Sequence, residues 1–280
     1  MSTQKTEVVR EPIVETKPIL ETQSLTRRFR ALTAVDKLSI SVQTGEMFGL
    51  VGPNGAGKTT VIKTLTTILP PTSGNALVAG YDIVKHSAQV RSVIGYVPQL
   101  LSADGSLTGY ENLLIFAKLY HIPRSEREGR IRDALSFMGL SEFANKMVRE
   151  YSGGMIRRLE VAESMLHRPR VFFLDEPTVG LDPVARKIVW EHIQRLREDY
   201  GTTILLTTHY MEEADELCDR VAIMHLGKVA AIGTPTELKA SVGEGATLDD
   251  VFVHYSGYEV DSGGNWHEVS SARRVARRLA

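Results

Sequence analysis

The spacing of apolar and polar residues changes character several times along this chain. Leu38, Ile40 and Val42 alternate with Ser39 and Ser41, the period of a strand with one buried face. Met47–Val51 is instead a short, unbroken apolar run that ends at a glycine-rich stretch. That pattern predicts a strand buried on both faces and feeding a helix. Beyond residue 100 the spacing turns helical. Thr108 and Glu111 form a capping-box pair ahead of Leu113, Leu114, Phe116, Ala117 and Tyr120, and Pro123 is expected to end that helix. Ser125 and Glu128 repeat the pair ahead of Ile131, Ala134, Leu135 and Met138, with Gly139 closing the second helix. Residues 171–174 and 204–208 are again apolar, strand-like runs, separated by a helical stretch at 185–197. Residues 221–226 and 228–232 flank Gly227 and predict a hairpin.

Strands alternating with helices imply an α/β fold with a mostly parallel sheet, an antiparallel β portion near the start and a helical insertion at about 100–168. The expected organisation is a flexible tail over residues 1–18, one folded domain over 19–245 and an extension over 246–280. The tail mixes charge, threonine and proline without periodicity.

Composition narrows the function classes. Across 280 residues, 33 Lys and Arg stand against 34 Asp and Glu, for a net charge of −1. There is no basic surplus to attract nucleic acid, and no such partner is expected. The single cysteine, Cys218, excludes an intrachain disulfide framework, suits a reducing compartment and reads as a buried helix residue. No apolar run approaches the roughly 18 residues that span a bilayer, and the N-terminus lacks the apolar middle of a secretory signal. The expectation is a soluble protein whose membrane role, if any, comes through a partner.

Gly52-Pro53-Asn54-Gly55-Ala56-Gly57-Lys58-Thr59 fits the phosphate-loop pattern GxxxxGK[ST], between an apolar strand and a helical stretch containing Val61, Ile62 and Leu65. Glycines let backbone amides wrap phosphate oxygens, the lysine neutralises the β- and γ-phosphates, and the threonine hydroxyl ligates Mg²⁺. The later run 171–174 ends in Asp175 and Glu176. A strand of that kind delivers Asp175 beside the Mg²⁺ and Glu176 beside the attacking water.

Five further elements then make the chain resemble the ABC ATPases. Tyr151-Ser152-Gly153-Gly154-Met155 is similar to the family signature, and Gly180-Leu181-Asp182-Pro183 to its D-loop. Thr207-Thr208-His209 ends a strand as the switch histidine does, and Gln99 follows 94–97 where the Q-loop glutamine lies. Phe29 precedes the phosphate loop like the aromatic residue on which adenine stacks, although an aromatic beside a strand is also an ordinary core residue. The resemblance covers roughly residues 19–241.

It implies a P-loop NTPase core that binds ATP and Mg²⁺. Gly52, Asn54, Gly55, Gly57, Lys58, Thr59 and Thr60 would cradle the nucleotide. Glu176, His209 and Gln99 would serve hydrolysis, and Thr59, Gln99 and Asp175 would face the metal. Ser152, Gly153 and Gly154 would contact nucleotide on an opposite subunit, because a helix start with small residues suits an anion. Gln99 has the plainer alternative of a polar loop residue.

Two positions depart from the family pattern: Tyr151 replaces its leucine and Met155 its glutamine, so no side-chain amide is available at 155. Tyr-Ser-Gly-Gly-Met and the segment 247–252 resemble the daunorubicin-resistance-like exporter branch. The implied partners are transmembrane permease subunits and a second copy or a homologous ATPase, on the cytoplasmic side of the membrane. A soluble ABC-type ATPase without a transport role is the alternative. Arg273, Arg274, Arg277 and Arg278 read either as a basic amphipathic helix or as a solvated tail.

Overall fold

The structure, a computed structural model, describes residues 17–256. The C-terminal arginines and nearly all of the expected N-terminal tail lie outside them.

The chain opens with β1 (Leu20–Phe29), which pairs antiparallel with β2 (Leu32–Leu38) and β3 (Ser41–Val42). Leu38, Ile40 and Val42 are all buried, as their alternation predicts, but they do not form one strand. The Thr22 side chain of β1 fills the gap: its hydroxyl donates to Leu38 O (3.0 Å) and accepts from Ile40 N (2.9 Å). β4 (Met47–Val51) leaves this sheet, is buried along its whole length and runs through residues 52–57 into α1 (Lys58–Leu65). β5 (Ser73–Val78) and β6 (Tyr81–Asp82) return to the antiparallel sheet, whose order is β2-β1-β5-β6 with β3 also on β1. α2 (Ser87–Val93) then leads to β7 (Ile94–Val97).

Three helices follow: α3 (Gly109–Leu119), α4 (Arg124–Phe137) and α5 (Gly153–Met165). The Thr108–Glu111 capping box forms in both directions. The second expected box does not. α4 starts one residue ahead of Ser125, with Pro123 at its N-cap and no side-chain cap. Pro123 is extended at ψ 139°, and the helix begins with the next residue. The earlier helix has already closed at Tyr120. Gly139, at φ 62°, lets the chain leave α4, and Leu140 N then reaches Leu135 O at 2.8 Å.

The remaining elements are β8 (Val171–Asp175), α6 (Pro183–Tyr200), β9 (Thr203–Thr208), α7 (Met211–Leu217), β10 (Arg220–His225) and β11 (Lys228–Gly233). They complete a six-stranded sheet ordered β11-β10-β4-β9-β8-β7. Its pairs are parallel except the β10–β11 hairpin, whose turn holds Leu226 and Gly227 at φ 47° and 80°. Cys218 is the buried residue just past α7 rather than a residue within it. α8 (Pro235–Val242) precedes α9 (Leu248–Ser256), which buries Leu248, Val251 and Phe252 in the same core as α6 and α7.

Successive side chains of a strand point to opposite faces, and the central sheet uses both. Phe48, Leu50, Phe173 and Leu205 pack with α1 and the antiparallel sheet. Met47, Phe172, Leu174, Ile204 and Leu206 pack with the helical layer. Because β4, β9 and β8 are adjacent and parallel, their C-terminal ends meet along one edge.

Candidate nucleotide-binding site

That edge assembles residues far apart in sequence. Val51 is in register with Thr208, and Asp175 with Thr207, so three chain turns leave the sheet side by side. The turn after β4 needs its glycines. A Cβ on Gly57 (φ 108°) would lie 2.4 Å from Ala34 O, and one on Gly52 would lie 2.2 Å from Met224 O. Asn54 and Gly55 are exposed at the tip, while Lys58 turns inward as the first residue of α1. The Lys58 ammonium donates to Gly52 O (2.7 Å) and Pro53 O (3.1 Å), which bends the loop around it. The first-turn N–H groups of a helix have no partners within it, so this loop and helix start form an anion cradle. Thr59 and Thr60 are half-buried in that turn.

Two carboxylates face the cradle. Asp175 Oδ1 accepts from the Thr59 hydroxyl at 3.0 Å and from the Thr207 hydroxyl at 2.6 Å. Asp175 Oδ2 is buried and, among the described residues, has no hydrogen-bond partner. Burial pushes the Asp175 carboxyl above its ordinary pKa, against the two hydroxyls that favour its charged form. Glu176 sits at the strand end in the left-handed region (φ 50°), held by Thr207 O and Oγ1, each 3.0 Å from Glu176 N. A bulky residue in that conformation is strained, and the surrounding bonds hold it there.

The Glu176 carboxylate gathers three side chains. Lys58 Nζ is 3.1 Å from Oε1, and Gln99 Nε2 (3.0 Å) and His209 Nδ1 (3.2 Å) both meet Oε2. Lys58, Asp175 and Glu176 are nearly inaccessible to solvent, whereas His209 is partly open and packs on Tyr210. The arrangement can hold an anion at Lys58, a cation at Asp175 Oδ2 and a polarised water beside Glu176.

Other expected site residues stand apart from this cluster. Ser152 caps α5, accepting from Met155 N at 3.3 Å, and it is exposed together with Gly153. Gly154 is buried where a Cβ would lie 3.0 Å from Ala185 Cβ. Phe29 is exposed at the tip of the β1–β2 hairpin, with the Arg27 guanidinium 4.6 Å from its ring centre. The departures at 151 and 155 have structural explanations. The Tyr151 hydroxyl donates to Phe143 O (2.7 Å), its ring is buried, and Met155 packs against the helical core.

Sequence reading missed several polar groups around the site. Glu213 of α7 is fully buried and accepts from the Thr178 hydroxyl (2.7 Å) and the Trp190 indole (2.8 Å), tying the turn after Glu176 to α6. Arg157 and Glu160 of α5 are buried as well and reach the segment around Gln99. One signal was present: Arg157, Glu160 and Glu163 recur every three residues through Leu159, Val161 and Ala162, where a solvated face does not belong.

Comparisons with known proteins agree with this geometry. The model of the ABC transporter family matches residues 35–179. The daunorubicin/doxorubicin resistance ATP-binding protein DrrA of Streptomyces peucetius is 42% identical over 224 residues, 80% of this chain and 68% of that protein. The Nod factor export ATP-binding protein I of Ralstonia nicotianae is 43% identical over 227 residues, 81% of this chain and 70% of that protein. A solved structure of an ATP binding subunit of an ABC transporter superposes with a TM-score of 0.75 at 30% identity, covering 85% of this chain and 99% of the other. The chain therefore belongs to the ABC transporter family, as an ATP-binding and ATP-hydrolysing subunit of its daunorubicin-resistance-like branch.

Proposed function

We propose that this chain hydrolyses MgATP at a site closed by a second ATP-binding subunit, and that the resulting movement drives export through a transmembrane permease. The observation that carries the reading is the Glu176 carboxylate, which gathers Lys58, Gln99 and His209 beside Asp175 and Thr59. Lys58, Gly52, Asn54, Gly55, Gly57, Thr59 and Thr60 bind the phosphates. The incoming γ-phosphate takes the Lys58 ammonium over from Glu176. Glu176 is thereby freed to accept a proton from water, whose oxygen attacks the γ-phosphorus as ADP departs. His209 and Gln99, now on Glu176, hold the γ-phosphate and the water in line.

The donor set fits Mg²⁺, a hard cation that takes oxygen ligands. Asp175 Oδ2 is a buried oxygen with no hydrogen-bond partner among the described residues, and the Thr59 hydroxyl lies 3.0 Å from the same carboxylate. Thr59, Asp175 and Gln99 would hold the ion, which supplies charge neutralisation between the β- and γ-phosphates.

Ser152, Gly153 and Gly154 complete the site of the other subunit, and Phe29 offers an aromatic face to adenine. Among the described residues no helix is long and apolar enough to cross a membrane. Attachment to the cytoplasmic face runs through the permease, at Gln99 and residues 100–107, where Leu100 and Leu101 are exposed. The cargo in this reading is a drug-like, lipid or polysaccharide molecule, and relatives named for drug resistance and Nod factor export support export as its direction. The test is to express the chain with and without its permease partner and assay membrane and soluble fractions. Retention at the membrane only with the partner is expected. Stable association with ribosomes or DNA, and with no membrane protein, would contradict it.

A further inference from the structure

Helix α5 grips the loop that carries Gln99. The buried Arg157 guanidinium donates to Pro98 O (2.7 Å), to Gln99 O (2.8 Å) and to Glu160 Oε2 (2.9 Å). Glu160, one turn further along, accepts from Ser102 N and from the Ser102 hydroxyl (3.1 Å). Two side chains of one helix thus hold three backbone atoms of residues 98–102. Between the held points, Leu100 and Leu101 bulge outward, 81% and 49% exposed, while the Gln99 amide points inward to Glu176 at 3.0 Å.

Stability alone does not account for such a pair. Burial opposes the charged form of both groups, lowering the Arg157 pKa and raising that of Glu160. Replacing a buried ion pair with apolar residues of similar volume is often neutral or stabilising. Apolar side chains cannot, however, bind two carbonyls and an N–H of a neighbouring loop. The loop is thus tied to α5 on both sides of its bulge.

We propose that Arg157 and Glu160 are positioning residues that strap the Gln99 loop to α5 and so set the place of the Gln99 amide at Glu176. This rests on the ATPase reading above. Arg157 and Glu160 act through Gln99, and neither touches nucleotide.

The test is a double-mutant cycle on purified full-length chain, assayed for steady-state ATP turnover, for binding of a fluorescent ATP analogue and for thermal melting. R157K keeps the charge but cannot span both carbonyls, and E160Q keeps an acceptor but loses the ion pair. R157K should lower kcat about tenfold with KM within about twofold, and in a Q99A background it should add less than about twofold. E160Q should behave alike with a smaller loss. A role confined to stability would lower melting without this dependence on Gln99. Wild-type kcat in both variants, or an equal loss with and without Gln99, would overturn the strap. If R157K does not fold, the E160Q and Q99A cycle decides alone. A wild-type chain that turns over no ATP, with or without its membrane partner, would overturn the underlying reading and the strap with it.

Discussion

The two halves of the nucleotide-binding surface are built in opposite ways. At the phosphate-loop end, Lys58, Asp175 and Glu176 are buried, bonded to one another's neighbours and held by three adjacent parallel strands. At the signature end, Ser152 and Gly153 are exposed, and the Ser152 hydroxyl serves its own helix through a bond to Met155 N at 3.3 Å. The first end has its charged and polar groups gathered on Glu176 before a ligand arrives. The second is a bare helix start that becomes useful only when another surface brings an anion to it. Under the proposed function, a chain with one finished end and one open end would be half of two sites.

The largest break in that comparison comes from the finished end. Glu176→Gln should lower ATP turnover by about a hundredfold or more while leaving MgATP binding intact, as a steady-state assay beside an equilibrium titration would reveal. Wild-type turnover in this variant would remove Glu176 from the mechanism.

A second change tests burial on the helix behind the open end. Burial pushes the Glu163 carboxyl up to about 8 from 4.5, with Glu160 adding to the effect. In the unfolded chain it ionises near its ordinary value. Its neutral form therefore contributes stability that is fully present below about pH 4.5 and is lost as pH rises through about 8. Glu163→Gln stays neutral throughout. Its melting temperature relative to wild type should rise between about pH 5 and pH 8, equivalent to up to a few kcal/mol. A difference independent of pH would contradict the burial argument.

Gly57→Ala should cost about 1–3 kcal/mol and weaken nucleotide binding, since its φ is 108° and the added Cβ meets Ala34 O at 2.4 Å. Denaturant melts and a binding titration would check both effects, and an unchanged affinity would show that the loop tolerates the strain. Ser152→Ala removes one helix cap and should cost about 1 kcal/mol of stability, with nucleotide binding by the isolated chain unchanged. A large loss of binding in the monomer would mean that the signature end serves its own site.

Much of the finished end could be read from sequence because its groups are contiguous and each has a chemical reason to be there. Gly52 to Thr59 and the pair Asp175-Glu176 needed only an apolar strand ahead of them. The supporting groups were hidden because they depend on register and on which way a helix faces. Thr207 matters because β9 lies beside β8, which puts its hydroxyl 2.6 Å from Asp175. The recurrence of Arg157 among apolar residues is visible in sequence, but its partners at Pro98 and Gln99 emerge only once α5 is packed on residues 98–102. Thr22 splits a strand 16 residues away through its side chain, and local alternation carries no trace of that contact. Ser125 shows the reverse case, a local capping signal left unused because α4 already starts at Arg124.

The central claim is that one chain holds half of two sites, and its most direct test is the mass of the hydrolysis-deficient chain. Purified Glu176→Gln protein would be sedimented with and without MgATP, alone and with Ser152→Ala added. The account predicts a monomer without nucleotide, a dimer with MgATP and a weaker dimer when Ser152 is lost. A chain that binds MgATP tightly yet stays monomeric at high protein concentration, with Ser152→Ala making no difference, would contradict it.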